Sequence, residues 1–446
     1  MGVGLEIIYS IMIMFIRNAT LAFCLFSSLG AADWPHFLGP NLNNSVPDEK
    51  IVTSFSEGRP RLVWETDVNP GYGGAAIVGD EVFNLDRVNQ EFDVITCREL
   101  ETGKVKWTWK HDVPGRISHP GSRGVPTVTS DAVYATSGFG HVYCIDRATH
   151  KPRWIIDTCK RFEATPPRFG YAIHPVIKGN LCFIAPTSEK IGLAALDIKT
   201  GKTVWTSESI GSSHSSPQLL KILGKDVLVM VGDFNREKLV LLGVDPGSGK
   251  TIFNYLENFG TGIFNAIPNV FMLGKDTAVF TAGYGKGSRL LKFTGTEEAM
   301  TITKTAQLPF GDKFHIPLMI EGKLYMTADR GGRRRGSRQP SNTGQSPASG
   351  MVCFAPDGVV HWSTGKELYL NGGAILNIGG MIVSQDGDTG ELRLIKPGDK
   401  YQELAKGKVF SKKTGDQLWA PMAFSNGKLV MRSQNQLICV DLAPVK

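Results

Sequence analysis

The stretch "DIKTGKTVW", Asp197 to Trp205, decides the fold because it recurs along the chain. Upstream stand "ELETGKVKW" (Glu99 to Trp107) and "DRATHKPRW" (Asp146 to Trp154), and downstream "DPGSGKTIF" (Asp245 to Phe253). Each copy sets an acid, a short turn and a large aromatic in the same order. Gly in the turn adopts a positive φ that other residues resist, so the phrase reads as a hairpin between two strands. The acid is placed to accept turn amides, and the aromatic falls on the strand that follows.

Units aligned on this phrase begin near Gly71, Ser118, Arg168, Ser212, Gly260, Pro309, Glu367 and Ser411. Their spacing of 44 to 58 residues lies in the range of propellers and solenoids. In the unit from Arg168, the runs "AIHPVIKGN", "LCFIAPT", "IGLAALD" and "TVWTSES" are short, rich in β-branched and apolar residues, and bounded by turn formers, as strands joined by hairpins are. Four antiparallel strands make one propeller blade. The aromatic of the outermost strand (Trp107, Trp154, Trp205, Phe253, Trp362) is then placed to fill the wedge between diverging blades.

The last unit, Ser411 to Leu442, supplies only three strands, "WAPMAFSN", "KLVMRS" and "QLICVDL". "RPRLVWETDV", Arg59 to Val68, reads as the missing outer strand, and pairing it with the strand of Asp441 would close the ring and remove its loose edges. The expected fold is all-β: a single eight-bladed propeller over residues 59–446, preceded by an N-terminal extension, 33–58. Units five and seven end in "FTGTEEAMTIT" and "KPGDKYQELAK", without the aromatic. A look-alike, "KTGDQLW" at Lys413, precedes "APMAF", which puts Trp419 at the start of an inner strand.

Composition is that of a globular chain, 446 residues with 41% hydrophobic and 20% charged, enough to bury a sizeable core. The net charge of +7 is not organised into a lysine stripe with interleaved aromatics, so nucleic acid is not an expected partner. From Met14, "MFIRNATLAFCLFSSLGAA" shows Arg17, an apolar stretch and then small residues, the order of a secretory signal with cleavage after Ala32. Residues 7–29 are also apolar enough to be retained as a membrane anchor, whereas Phe23 before Cys24 argues against a lipid-attachment site. Residues 1–32 are thus expected to be a signal or an anchor, and the remainder periplasmic or secreted.

Seven cysteines in an exported chain invite a disulfide framework. Register opposes it. Cys97, Cys144 and Cys439 stand two residues before the acidic position and Cys353 stands equivalently, where other units carry Ala195 and Gly243. One slot that accepts Cys, Ala or Gly is a small buried site on the third strand, and neighbouring blades hold their slots farther apart than the roughly 7 Å a disulfide spans. Cys159 and Cys182 remain as a conceivable pair.

The histidines are more suggestive. His119, His174, His214 and His315 all precede inner strands, on the face where the axial channel opens. With Tyr72, Arg123, Tyr171, Asn265, Asn371 and Trp419 they are expected to ring one mouth, as a polar ligand site rather than a metal centre. Unit six carries a long insertion, Asp329 to Gly350, whose Arg330, Arg333, Arg334 and Arg335 offer countercharge to an anionic ligand, an anionic polysaccharide, a lipid headgroup or a protein partner. No nucleophile elbow, zinc-protease helix or phosphate loop is present, and "GYGKG" (Gly283 to Gly287) reads as a hairpin turn. Asp233, Asp329 and Asp386, between second and third strands, are the acids placed to act as bases or ligands.

The phrase "LDIKTGKTVW", with "GSSHSSPQLL", "HVYCIDRATHKPRW" and the opening "DWPHFLGPNLNNS", resembles the pyrroloquinoline quinone (PQQ)-like repeat family of eight-bladed propellers. The resemblance covers essentially all of the chain after residue 32. It implies one of two functions. Quinoprotein dehydrogenases of this family hold PQQ and calcium in the channel and oxidise alcohols or sugars with an Asp as base. The others resemble the propeller lipoprotein of the outer-membrane assembly machinery, which keeps the fold without the cofactor. The size of the chain and its lack of an adjacent Cys pair favour the second kind, a non-catalytic binding or scaffolding module acting through the mouth face. PQQ with calcium is the competing expectation.

Overall fold

The computed structural model describes residues 32–233, 238–260, 267, 270–328, 349–365, 367–412 and 417–444. Its strands form eight four-stranded antiparallel sheets, the blades of a propeller, one of them joined by a short fifth strand. Blade 1 comprises Ala75–Val78, Glu81–Val88, Phe92–Glu99 and Val105–Asp112, from the axis outward. Blades 2 to 7 follow at 127–157, 176–206, 218–258, 270–308, 318–363 and 375–407. Blade 8 takes three strands from the C-terminal part, Ala423–Ser425, Lys428–Arg432 and Gln436–Asp441, and its outer strand from Arg61–Asp67. The ring closes as the sequence implies. A buried ion pair, Arg432 Nη2 to Asp86 at 2.6 Å, clasps the second strands of blades 8 and 1 across the closure.

One register explains the recurring phrase. In each blade, one third-strand residue faces one outer-strand residue just ahead of a bulge. Six blades pair a small residue with an aromatic: Cys97 with Trp107, Cys144 with Trp154, Ala195 with Trp205, Gly243 with Phe253, Cys353 with Trp362 and Cys439 with Trp64. Blades 5 and 7 reverse the volumes, with Leu290 against Ala306 and Leu394 against Ala405. The pair must fill one fixed space, so a large outer ring demands a small inner partner. A Cβ on Gly243 would lie 2.2 Å from the Phe253 ring. The six described cysteines are free thiols, and Cys159 and Cys182 are not bonded. Burial drives the Cys97, Cys144 and Cys439 thiols up to about 12.

The aromatics do fill the wedge between blades, and they do so on the next blade's turn. Indole Nε1 of Trp64, Trp154, Trp205 and Trp362 donates to the carbonyls of Leu100, Ile198, Pro246 and Gly398, at 2.7 to 3.1 Å. The turn glycines Gly103, Gly201 and Gly249 have positive φ and lie against these rings so closely that a Cβ would come within 2.8 Å. Gly is required here twice over, for conformation and for contact. Where blade 2 carries His150 instead, at φ 58°, its imidazole stacks on Trp107 at 4.7 Å. The acids of the phrase act as expected in three copies: Oδ1 of Asp146, Asp197 and Asp245 accepts two turn amides and a hydroxyl. Glu99, one methylene longer, accepts the Thr102 hydroxyl instead.

The extension, 33–58, crosses the end of the axis opposite the mouth. Trp34 bridges Ile77 of blade 1, the carbonyl of Pro35 accepts from Val128 of blade 2, Ser45–Val46 runs parallel to Asn377–Ile378 of blade 7, and the Val52 amide donates to Leu442 beyond blade 8. Between these anchors Phe37 packs both on the core shared by blades 1 and 2 and on that shared by blades 5 and 6. It therefore plugs the axis.

Candidate functional site

Above that plug opens a cavity of about 290 Å³. The residues ahead of the inner strands build its wall. On blade 6, the buried Asp312 carboxylate accepts the amides of Phe314 (2.6 Å) and His315 (2.8 Å) and the Thr327 hydroxyl, which turns Lys313, Phe314 and His315 toward the axis. His315 Nε2 donates to the Gly372 carbonyl at 2.9 Å. On the approach to blade 8, Trp419 donates from Nε1 to the carbonyl of Asn371 at 3.0 Å and stacks on Phe314 at 4.7 Å. Trp419 stands ahead of the strand Ala423–Ser425 rather than at its start: it lies in irregular chain, held by its indole hydrogen bond and by the Phe314 ring instead of by strand pairing.

From Trp419 the rings continue without a break. Tyr72 follows at 5.9 Å, His119 at 6.0 Å, Phe169 at 5.3 Å and His214 at 5.7 Å, each measured from the ring before. His174 lies deeper, stacked on Phe37 at 4.3 Å, its Nδ1 accepting the Val125 amide at 2.7 Å. The Phe37 and His174 pair also borders a second cavity of about 210 Å³ beneath, so the axis holds two chambers separated by this stack.

Charge in the mouth is positive. Arg123, 9% exposed, donates to the carbonyls of Gly121 and His119 and lies 5.7 Å from the Tyr72 ring centre. Among the described residues no carboxylate pairs with it. Burial lowers its guanidinium to about 10, an expense that a bound anion would offset. Lys313 lies over Phe314 and Trp419. Burial, and then the field of Arg123, lowers His214 to about 4 and also lowers His119, while burial takes His174 to about 3. At neutral pH the His174 and His214 imidazoles are uncharged. His214 is 8% exposed, and its Nε2 is without a hydrogen-bond partner among the described residues.

Seven of the expected mouth residues thus converge: Tyr72, His119, Arg123, His174, His214, His315 and Trp419. Two do not. Tyr171 is buried in the wedge between blades 3 and 4, its hydroxyl donating to Pro186 at 2.7 Å. Asn371 contributes its backbone carbonyl to Trp419, while its side chain turns away to Asp388. Asn265, Asp329 and the arginines Arg330, Arg333, Arg334 and Arg335 lie outside the described residues. Asp386 caps its own loop through the amides of Asp388 and Thr389, and Asp233 ends its strand bridged through its backbone to Ser212. Sequence reasoning missed Phe37, Phe169, Lys313 and Phe314. Phe169 and Phe314 stand within five residues ahead of histidines already singled out, a signal available in the text; Phe37 comes from a segment outside every repeat and left none.

No cluster of three or more metal-binding side chains occurs among the described residues. Calcium takes roughly six to eight oxygen ligands, carboxylates foremost. The described lining contains no Asp, Glu or Asn, so this donor set does not fit the calcium of a quinoprotein.

Eight antiparallel blades closed by an N-terminal strand, with a plugged axial cavity, define the class as an eight-bladed propeller of PQQ-like repeats. The chain belongs to the family described as outer membrane protein assembly factor BamB, whose family model matches residues 94–332. Among solved structures it is similar to BamB from Moraxella catarrhalis, at 14% identity and a TM-score of 0.58 over 86% of this chain and 98% of that one. It is similar also to a europium-containing methanol dehydrogenase (11%, TM-score 0.61, 92% and 98%). A quinohemoprotein alcohol dehydrogenase from Comamonas testosteroni gives 14%, TM-score 0.62, 93% and 81%. At these identities the structural likenesses speak for the fold alone. A comparison with curated proteins finds no match. No helix among the described residues is long and apolar enough to cross a membrane.

Proposed function

We propose that this protein is an exported, non-catalytic binding module that takes an anionic ligand, or an anionic group of a protein partner, in its mouth cavity. The observation that carries this reading is the character of the described lining: aromatic rings with Arg123 and Lys313, and no carboxylate to ligate calcium or act as base. Family membership supports a partner-binding role in general, since the family's description names an assembly factor. The opening sequence, with Arg17 and the small residues before Asp33, supports export.

The test is cofactor loading. The chain from Asp33 is incubated with PQQ, with and without calcium, stripped of free cofactor, and examined by absorbance, native mass and dye-linked alcohol oxidation. The expected outcome is no calcium-dependent retention and no turnover. One PQQ retained per chain only with calcium, with alcohol oxidation, would overturn the reading.

A further inference from the structure

Three features of the mouth are only partly satisfied within the protein. Arg123 is buried with no carboxylate beside it among the described residues, and two of its N–H donors reach carbonyls while the guanidinium has five. His214 Nε2 is buried without a partner. Phe314, Trp419, Tyr72 and Phe169 leave half-buried faces in a series of ring contacts around the opening. An inorganic anion would satisfy the first feature and leave the rings bare. An apolar group would cover the rings and leave the arginine bare.

We propose that the mouth cavity is a metal-free receptor for one aromatic ring bearing a carboxylate, with the carboxylate on Arg123, a polar atom at His214 Nε2 and the ring among Tyr72, Phe169 and Trp419. The inference rests on the reading of the mouth as an anion-binding site and names its ligand class. A planar guanidinium fork matches a carboxylate through paired hydrogen bonds, and it does so most strongly where water is excluded. Offset and edge contacts suit a ligand ring among ring walls. Size agrees: at about 290 Å³ the cavity is at the small end of ligand pockets, room for one ring system rather than a sugar chain.

Such a group has two sources, a free aromatic acid or the C-terminal aromatic residue of a polypeptide. The test is isothermal titration of the chain from Asp33 with phenylacetate, with N-acetyl-phenylalanine, with N-acetyl-phenylalanine amide and with a pentapeptide ending in Phe with a free carboxylate. One acid per chain is expected to bind, with affinity at least 10-fold above that of the amide and lowered at least 10-fold in Arg123→Gln. Arg123→Lys, which keeps charge without the fork, is expected to fall between. Tighter binding of phenylacetate assigns a free acid, and tighter binding of the pentapeptide assigns a chain terminus. No binding of any acid, or equal binding of acid and amide, overturns the proposal. So does an unchanged affinity in an Arg123→Gln protein that unfolds at the wild-type denaturant concentration. PQQ loading reports on the broader reading separately, so failure of one is not failure of the other.

Discussion

The rim and the axis of this propeller obey different rules. At the rim, one pairing is repeated in every blade, and a change of volume on one strand is answered on its neighbour: Gly243 with Phe253 in blade 4, Leu290 with Ala306 in blade 5. At the axis, the residues ahead of each inner strand differ from blade to blade, and two buried polar groups are left short of partners: among the described residues no carboxylate pairs with Arg123, and His214 Nε2 makes no hydrogen bond. Repetition marks what the ring needs in order to close. Irregularity marks where the ring is used.

The largest expected effect breaks the rim. Phe253→Ala empties the blade 4 wedge and should cost about 3–5 kcal/mol in urea unfolding, as deletion of a buried ring does. Adding Gly243→Leu recreates the arrangement of blade 5 and should return about 1–2 kcal/mol, whereas Gly243→Leu alone overpacks and destabilises. If the two changes prove additive, the volume exchange is not what sets this register.

A second measurement separates rim from axis by pH. His36, His174 and His214 are held well below the ordinary imidazole range, chiefly by burial, at about 4, 3 and 4. Each stays neutral when folded and takes a proton when unfolded, so the stability it confers is complete above about pH 6.5 and is lost as pH falls toward 4. The exposed rim acid Asp197 is held below its ordinary value by the hydroxyl and amide of Thr200, so its contribution disappears only at lower pH, as the carboxylate is protonated. Unfolding free energy should therefore decline between pH 6.5 and 4 in wild type and decline less in His214→Leu. Thr200→Ala should leave that window unaltered.

The smallest effect concerns the thiols. Cys97, Cys144, Cys353 and Cys439 sit beneath rim tryptophans with their thiols raised by burial. In native protein at pH 8 they should resist iodoacetamide, while the half-buried Cys159 reacts first among the described cysteines. Rapid alkylation of Cys97 would mean that the blade 1 wedge opens readily.

The rim was readable because its demands are local. A turn needs Gly, a wedge needs an aromatic and an aromatic needs a small neighbour, and all three fall within a dozen residues of text. The mouth was readable only in part. His119, His214 and His315 could be placed on one face from their position before inner strands, but Tyr171 has the same placement and turns into the wedge. Which way a loop residue points depends on the packing of two blades at once.

The sequence alone determined the number of blades, the closure by Arg59 to Val68 and the small slot beneath the rim aromatics, since each follows from a period, a missing strand or a repeated residue type. The tertiary structure alone decided that Phe37 plugs the axis, that Asn371 serves through its backbone, and that Arg123 is buried without a carboxylate beside it. The plug joins Phe37 to a core that reaches as far along the chain as Phe354, and only a closed ring brings such distant segments to one axis.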